Sequence, residues 1–305
     1  MREKILVTGA NGQVGMELKQ LSTAYPSFEF IFTTREELPL DDPDIISQFI
    51  AKHQPEYCIN CAAYTAVDKA ESEKELAYKI NAEAPGVMAA VCKGNNVQFI
   101  HISTDYVFNG NGTSPYKEDD KTDPVNLYGA SKLEGEKMVM QNNPGSIIIR
   151  TAWVYSEFGK NFVKTMLRLM AEKEQISVVS DQYGTPTYAA DLAEAIMKII
   201  STLENPTRHV LSGVEGSPLT THGGIYHFSN EGHITWYDFA VAIKELSGSS
   251  CKVNPITTSE YPTPAKRPSY SVLDKTKIRE IFNISPKDWK ASLAVCLEKI
   301  RNGPK

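Results

Sequence analysis

Residues 8–15 constrain this chain more than any other stretch. Thr8-Gly9-Ala10-Asn11-Gly12-Gln13-Val14-Gly15 sets glycines at a G-x-x-G-x-x-G spacing, directly after the apolar run Lys4–Thr8 and directly before an amphipathic segment. By composition alone that spacing is expected about 0.07 times in a chain of this size, so strand, glycine turn and helix read as one unit. Gly9 permits a tight turn, Gly12 the close approach of backbone to a pyrophosphate, and Gly15 the packing of helix on strand. The helix start, with Asn11 just before it and Gln13 and Val14 in its first turn, then presents free N–H groups and a partial positive charge to phosphates.

The rest of the first half repeats this alternation. Candidate strands are Lys4–Thr8, Phe28–Thr33, Tyr57–Asn60, Gln98–Ser103 and Ser146–Thr151, each rich in Val, Ile, Phe or Tyr, as expected of strands buried on both faces. Candidate helices are Gln13–Ala24, Pro43–His53, Lys69–Tyr78, Ala82–Lys93 and Leu127–Gln141, the second entered through the acidic caps Asp41 and Asp42 before Pro43. This is a doubly wound α/β pattern with a parallel, Rossmann-type sheet. Residues 1–155 are expected to form the dinucleotide-binding domain. Residues 156–305 are expected to be mixed, part returning to the sheet and part forming a smaller substrate-binding lobe. Helical patterns there cover Asn161–Lys173, Ala190–Leu203, Thr235–Leu246 and Asp288–Ile300, and short strands Ser177–Val179 and Ile225–Phe228. The Pro/Gly/Ser/Thr-rich segments 204–224 and 254–271 read as irregular loops, the first without a functional account.

Composition excludes several classes of function. The 305 residues carry 32 basic and 37 acidic side chains, a net charge of −5. That balance argues against a broad basic surface for nucleic acid or an anionic membrane, while leaving room for a small basic pocket. No apolar run is long enough to span a bilayer, and Met1-Arg2-Glu3-Lys4 leads straight into a strand pattern, so a cytoplasmic protein is expected. Five cysteines fit a reducing compartment; Cys58 and Cys61 form a C-x-x-C but lie in a strand and small-residue loop, and read as buried thiols. His222, His227 and His233 match no zinc spacing, and no metal site is expected.

The end of the second strand bears on the choice of dinucleotide. An NAD site places Asp or Glu there, about 20 residues past the glycines. Here the strand ends in Thr33-Thr34-Arg35, whose hydroxyls and guanidinium suit a 2′-phosphate, so NADPH is expected ahead of NADH. Glu36 and Glu37 follow at once and compete with that reading. Further on, Tyr128 and Lys132 stand four apart at a helix start, on one face. Such a pair is expected about once by chance, so its position carries the weight. It follows the strand ending in Ser103-Thr104-Asp105-Tyr106, which sets hydroxyls at the carboxyl edge where open α/β sheets bind ligands.

Gly9/Gly12/Gly15, Asn60-Cys61-Ala62-Ala63, Ser103-Thr104 and Tyr128-x-x-x-Lys132 resemble the extended short-chain dehydrogenase/reductases. Within these, five stretches across nearly the whole chain resemble the dTDP-4-dehydrorhamnose reductase family. They are Ala62–Glu71, Ser103–Phe108, Arg150–Tyr155, Asp181–Thr187 and Tyr261–Pro268. The resemblance implies NADPH-dependent reduction of the C4 keto group of dTDP-4-dehydro-6-deoxy-L-mannose to dTDP-L-rhamnose. It implies that Tyr128 protonates the C4 oxygen, that Lys132 lowers the tyrosine pKa and holds the nicotinamide ribose, and that Thr104 stabilises the same oxygen. Ala62, Ala63, Tyr64 and Thr65 join the glycine loop as cofactor contacts; Asp105 and Trp153 touch the sugar; Arg267 partners the nucleotide diphosphate. The chain departs from the family at Leu38-Pro39-Leu40-Asp41-Asp42, where proline stands at the usual adenine contact and the Leu40 backbone takes that role. Some members form a dimer bridged by magnesium through glutamates. Glu17 matches one such position, but another reads Ala190, so that metal is not expected and a homodimer stays open. Two rival readings are a different sugar-nucleotide enzyme, such as a 4-epimerase or another 4-keto-sugar reductase, and a non-catalytic regulatory subunit resembling the beta subunit of methionine adenosyltransferase.

Overall fold

Five strands of the first half and one from the second lie side by side in a single parallel sheet. They are β1 (Glu3–Thr8), β2 (Phe28–Thr33), β3 (Tyr57–Asn60), β4 (Gln98–Thr104), β5 (Ile147–Thr151) and the strand Gly224–His227. Their order is β2-β1-β3-β4-β5 followed by Gly224–His227, and every neighbouring pair is parallel. The computed structural model describes residues 2–40, 42–204 and 222–303. The irregular segment read at 204–224 therefore lies, apart from its ends, outside the described residues, as does Asp41.

Alternation along the strands explains the two layers of core. Ile5, Val7, Ile59, Ile147 and Ile149 pack on one face with helix α1 (Gln13–Leu21) and the helix Ala189–Glu204. Leu6, Cys58, Phe99 and Ile148 turn the other way, onto α2 (Pro43–His53) and the helix ending at Gly94. With helices on both faces, the middle of a strand is apolar on both sides, as at Ile5-Leu6-Val7 and Ile147-Ile148-Ile149. Cys58 and Cys92 are buried here as free thiols, and Cys61 is half-buried at the end of β3. Asp42 caps α2, its Oδ1 accepting from Asp44 N at 3.0 Å and Ile45 N at 3.2 Å, with Pro43 as the first helical residue.

The two helices expected between β3 and β4 are joined. After α3 (Val67–Ala70), α4 (Lys74–Tyr78) runs through one π turn, Lys79–Glu83, into α5 (Ala84–Gly94). The bulge accommodates α6 (Leu127–Asn142): a Cβ on Gly135 would run into the Asn81 carbonyl oxygen. It also turns the Asn81 side chain toward the carboxyl end of the sheet, and π turns recur at functional positions.

Ser177–Val179 does not extend the main sheet. The strand Gln175–Val179 pairs with Lys252–Ile256 in a separate two-stranded ribbon, packed against helices Phe162–Glu172, Trp236–Ser247 and Trp289–Asn302. Pro255 sits within this ribbon, where an edge position tolerates its missing donor. Among the described residues, no helix is long and apolar enough to cross a membrane.

Candidate active site

The strand order reverses between β1 and β3, and a crevice forms where the loops after those strands diverge. Gly9 lies in this crevice at φ +69°, and a Cβ there would fall 2.7 Å from the Ala62 nitrogen. The two loops therefore touch, and only glycine fits between them. Gly15 presses on the Gly9 carbonyl and on Ala10. It lets the helix close on its own loop, where packing on a strand had been expected. Helix α1 starts at Gly12 without a side-chain cap, so its first-turn N–H groups face the crevice. Val14 is buried and Asn11 exposed. Gln13 ties the loop to the second half of the chain, donating to Val154 O at 3.3 Å and accepting from Asn161 Nδ2 at 2.8 Å.

Across the crevice, Ala62-Ala63-Tyr64-Thr65 is held by Asn81. Its Oδ1 accepts from Tyr64 N at 2.8 Å, and its Nδ2 donates to Tyr64 O and to Ser131 Oγ, each at 3.0 Å. At the end of β2 the threonines behave differently from expectation. Thr33 is buried and donates its hydroxyl to Val7 O at 3.3 Å, so it faces the sheet. The Thr34 N–H is taken by Glu37 Oε2 at 2.8 Å, and hydrogen bonds from Thr34 hold the Glu37 carboxyl below its ordinary value. Arg35 and Glu36 are exposed and Leu40 half-buried.

The groups expected to handle the proton sit one strand further along. Thr104 ends β4, and its Oγ1 donates to Asp105 Oδ1 at 3.0 Å. Asp105 is buried, its other oxygen has no partner at full hydrogen-bond geometry, and burial pushes its pKa up to about 6 against the Ser271 and Thr104 hydroxyls, which pull it down. Tyr128 and Lys132 occupy the first turns of α6, whose start is fixed by Asn126. That side chain accepts from Gly129 N at 2.8 Å and donates to Lys266 O at 2.8 Å. The body of α6 is anchored by a buried pair: Glu136 receives Arg150 Nη2 at 2.8 Å and Ser103 Oγ at 2.5 Å. The Tyr128 ring meets Tyr106 edge-on at 5.7 Å. Burial pushes its phenol up to about 12, although a hydrogen bond with the Thr104 hydroxyl pulls the other way. Lys132 is 1% exposed. Burial brings its ammonium down to about 8, against the opposing charge of Glu136. The ammonium expected to depress the tyrosine is thus itself weakened, and the phenol keeps its proton well above neutrality. Lys132 Nζ donates to Ile102 O at 2.7 Å and stands 3.2 Å from His101 Nε2.

Trp153 and Arg267 are the remaining residues expected at the site. Trp153 takes φ +48°, a left-handed conformation costly for a bulky residue, and its indole stacks on Trp236 at 3.6 Å. A Cβ on Gly184 would lie 2.6 Å from that indole. Arg267 engages Asp68 through Nη1 at 2.5 Å and Nη2 at 2.8 Å. Away from the crevice, Glu17 is buried, accepting from Ser156 Oγ at 2.6 Å, while Lys299 Nζ lies 3.0 Å from the neighbouring Glu157. Among the described residues no cluster of three or more His, Cys, Asp or Glu side chains has a geometry that would hold a metal. Asn81, His101 and Glu136 were missed by sequence reasoning. A lone histidine inside a strand and an asparagine inside a helix carry no local signal.

A doubly wound parallel sheet, with a glycine turn at its switch point and Thr104, Tyr128 and Lys132 at the neighbouring carboxyl edge, defines a nicotinamide-dinucleotide oxidoreductase. The model of the family described as RmlD substrate binding domain matches residues 3–302. A spore coat polysaccharide biosynthesis protein of Bacillus subtilis (strain 168) is 42% identical over 297 residues, 97% of each chain. A dTDP-4-dehydrorhamnose reductase of Aggregatibacter actinomycetemcomitans is 40% identical over 296 residues, 95% of this chain and 97% of that one. The solved dTDP-4-dehydrorhamnose reductase of Bacillus anthracis str. Ames, in complex with NADP, is 35% identical with a TM-score of 0.89, covering 98% of this chain and 100% of that one. The chain belongs to the RmlD substrate-binding family.

Proposed function

We propose that this protein catalyses the NADPH-dependent reduction of dTDP-4-dehydro-6-deoxy-L-mannose at C4, giving dTDP-L-rhamnose. The observation that carries the reading is the convergence of Thr104, Tyr128 and buried Lys132 beside the glycine crevice. The residues present fit a dinucleotide. The first-turn N–H groups of α1 face a site for the pyrophosphate, Gly9 leaves no bulk between the two loops, and Asn81 holds Ala62–Thr65 as the opposite wall. Arg35 stands at the end of β2 for the 2′-phosphate, and the Leu40 backbone lies near the adenine end. Bound NADPH supplies the hydride.

Everything else falls to the chain. Tyr128 retains its phenolic proton at neutral pH and delivers it to the C4 oxygen as general acid. Thr104 Oγ1 stabilises charge on that oxygen. Lys132 holds the nicotinamide ribose. Asp105 Oδ2, without a partner at full hydrogen-bond geometry, accepts from a sugar hydroxyl, because a buried carboxylate oxygen left short of donors is costly. Trp153 offers a rigid indole face to the ring. Arg267 acts on the diphosphate end through the loop it closes. The substrate is a small molecule, and the reading places the enzyme in the cytoplasm. The test is turnover of the 4-keto sugar nucleotide by the isolated chain with each reduced nicotinamide. Stoichiometric NADPH oxidation and formation of dTDP-rhamnose are expected. Tightly held NAD with epimerisation and no NADPH consumption, or no turnover alongside a co-purifying synthetase, would overturn the reading.

A further inference from the structure

Trp153 owes its place to groups far from it in sequence. Its backbone sits at φ +48°, and strain of that kind in a bulky residue persists only where the surroundings over-determine it. The surroundings here are a seat built by the second half of the chain. Trp236, the first residue of the helix Trp236–Ser247, lays its ring on the Trp153 indole with centroids 3.6 Å apart and planes 12° from parallel. Phe162 packs on Trp236 in turn, at 4.6 Å. Gly184 borders the Nε1 side of the Trp153 indole: a Cβ there would lie 2.6 Å from Cε2 and Cζ2 and 2.9 Å from Nε1. The two contacts are joined to each other. Tyr183–Gly184 pairs antiparallel with Ile234–Thr235, which sets Gly184 opposite Ile234, two residues before Trp236. Thr235 then opens the helix with a capping box, its Oγ1 accepting from Asp238 N at 3.1 Å while Asp238 Oδ2 accepts from Thr235 N at 2.9 Å. That box fixes the direction in which Trp236 leaves the ribbon. The backbone at Trp153 is held as well, Thr187 N donating to Trp153 O and Gln13 Nε2 to Val154 O, each at 3.3 Å.

We propose that Trp236 is a positioning residue for sugar recognition, holding the Trp153 indole in place before the substrate arrives, and that Gly184 is the position that leaves room for the ring. This deepens the reading of Trp153 as a contact of the sugar and rests on it. A group locked in its bound geometry beforehand loses less freedom on binding, so the seat contributes to affinity. The expected chemistry lies on other elements, with Thr104 at the end of β4 and Tyr128 and Lys132 on α6. Trp153 packs both on the lobe core around Phe239 and on the cluster around Phe108, so the helix Trp236–Ser247 sets where the indole stands relative to the sheet edge. Without the Trp236 ring the strained backbone is free to relax, and the indole leaves its place. A raised KM with kcat unchanged is the mark of such a role.

The chain has three tryptophans, few enough to follow each indole N–H in a ¹H–¹⁵N spectrum, with Trp153 assigned by its loss in Trp153→Phe. One narrow Trp153 resonance is expected in the enzyme free of sugar nucleotide. A broad or doubled resonance that sharpens only when dTDP-L-rhamnose is added would show that the ring is not held beforehand, and overturns the proposal even if the enzyme is active. Trp236→Leu should shift that resonance and raise KM for the 4-keto sugar nucleotide about 3- to 10-fold, the scale of one aromatic stack, with kcat and NADPH affinity within about twofold. Trp236→Phe keeps a flat ring and should recover most of the loss, while Gly184→Ala, which adds the colliding Cβ, should raise KM as Trp236→Leu does. An unchanged KM in Trp236→Leu, or a parallel fall in kcat and NADPH affinity, would assign Trp236 to the lobe core alone. Where Trp236→Leu does not fold, the wild-type resonance and Gly184→Ala decide. A wild type without turnover would overturn the proposed reaction, and the resonance still decides the seat.

Discussion

Arg267 grips Asp68 with both terminal nitrogens across 199 residues of sequence, tying the proline-rich loop 261–268 to the start of α3. The same guanidinium donates to Ala265 O at 2.6 Å, so its donors are largely committed inside the protein. The pair holds the Asp68 carboxyl below its ordinary value, chiefly through the hydrogen bond from Arg267. Because Asp68 is 42% exposed at its side chain, solvent screening keeps the pair's worth to about 1 kcal/mol. Asp68→Asn and Arg267→Ala should therefore raise KM for the sugar nucleotide by similar factors, and the double variant by no more than either. A double-mutant cycle on KM checks this. A tenfold larger loss from Arg267→Ala alone would mean direct contact with the diphosphate.

Tyr128→Phe should leave NADPH affinity nearly intact and lower kcat by roughly 10²–10⁴, the usual worth of a positioned general acid. Steady-state rates beside a fluorescence titration of the cofactor separate the two effects. Near wild-type turnover would remove Tyr128 as the proton donor.

Glu17 gives a pH dependence of stability. Burial first, then the neighbouring Glu157, raises its carboxyl to about 8 from an unfolded value near 4.5. Between those two values the folded chain binds the extra proton, so stability falls as pH rises through the window. Glu157, held low in the same pair, contributes in the opposite sense only in the acid range. Thermal melts should show Tm declining between pH 6 and pH 8 in the wild type. Glu17→Gln, which mimics the protonated form, should flatten that decline; an unchanged slope would place the effect elsewhere.

Cofactor choice turns on two neighbours. A charge-assisted bond is worth about 1.5–3 kcal/mol, so Arg35→Ala should cost NADPH roughly 10- to 150-fold in affinity and NADH much less. Glu37, two residues from Arg35 and with its carboxylate accepting from the Thr34 N–H, would repel a 2′-phosphate held by that arginine. Glu37→Gln should therefore strengthen NADPH binding several-fold over NADH. Titrating both reduced nicotinamides into the three proteins decides each point. Equal losses for both cofactors in Arg35→Ala would mean that Arg35 does not read the phosphate.

What the sequence revealed and what it hid divide by range of interaction. The strands of the main sheet were legible because burial on both faces writes Val and Ile continuously into runs such as Ile147–Ile149. The glycine turn and the Tyr128/Lys132 spacing are likewise local. The orientation of Asn60 toward His101 spans 41 residues and involves residue types common in any strand. The partner of Gln175–Val179 was hidden because Pro255 makes Lys252–Ile256 look like loop. The π turn after α4 has no sequence signature of its own; it answers to the absent side chain of Gly135 on another helix.

The return of Gly224–His227 to pair with Ile147–Arg150 has a consequence for biosynthesis. On the ribosome, β5 emerges long before its outer neighbour, and for that interval it is an unpaired edge of apolar isoleucines. The helix Ala189–Glu204, which covers Val14 and Leu18 of α1, is also translated late. The nucleotide crevice is thus drawn from the first third of the chain yet is sealed only near residue 227, so a nascent or truncated product ending before that point exposes a sticky sheet margin to chaperones.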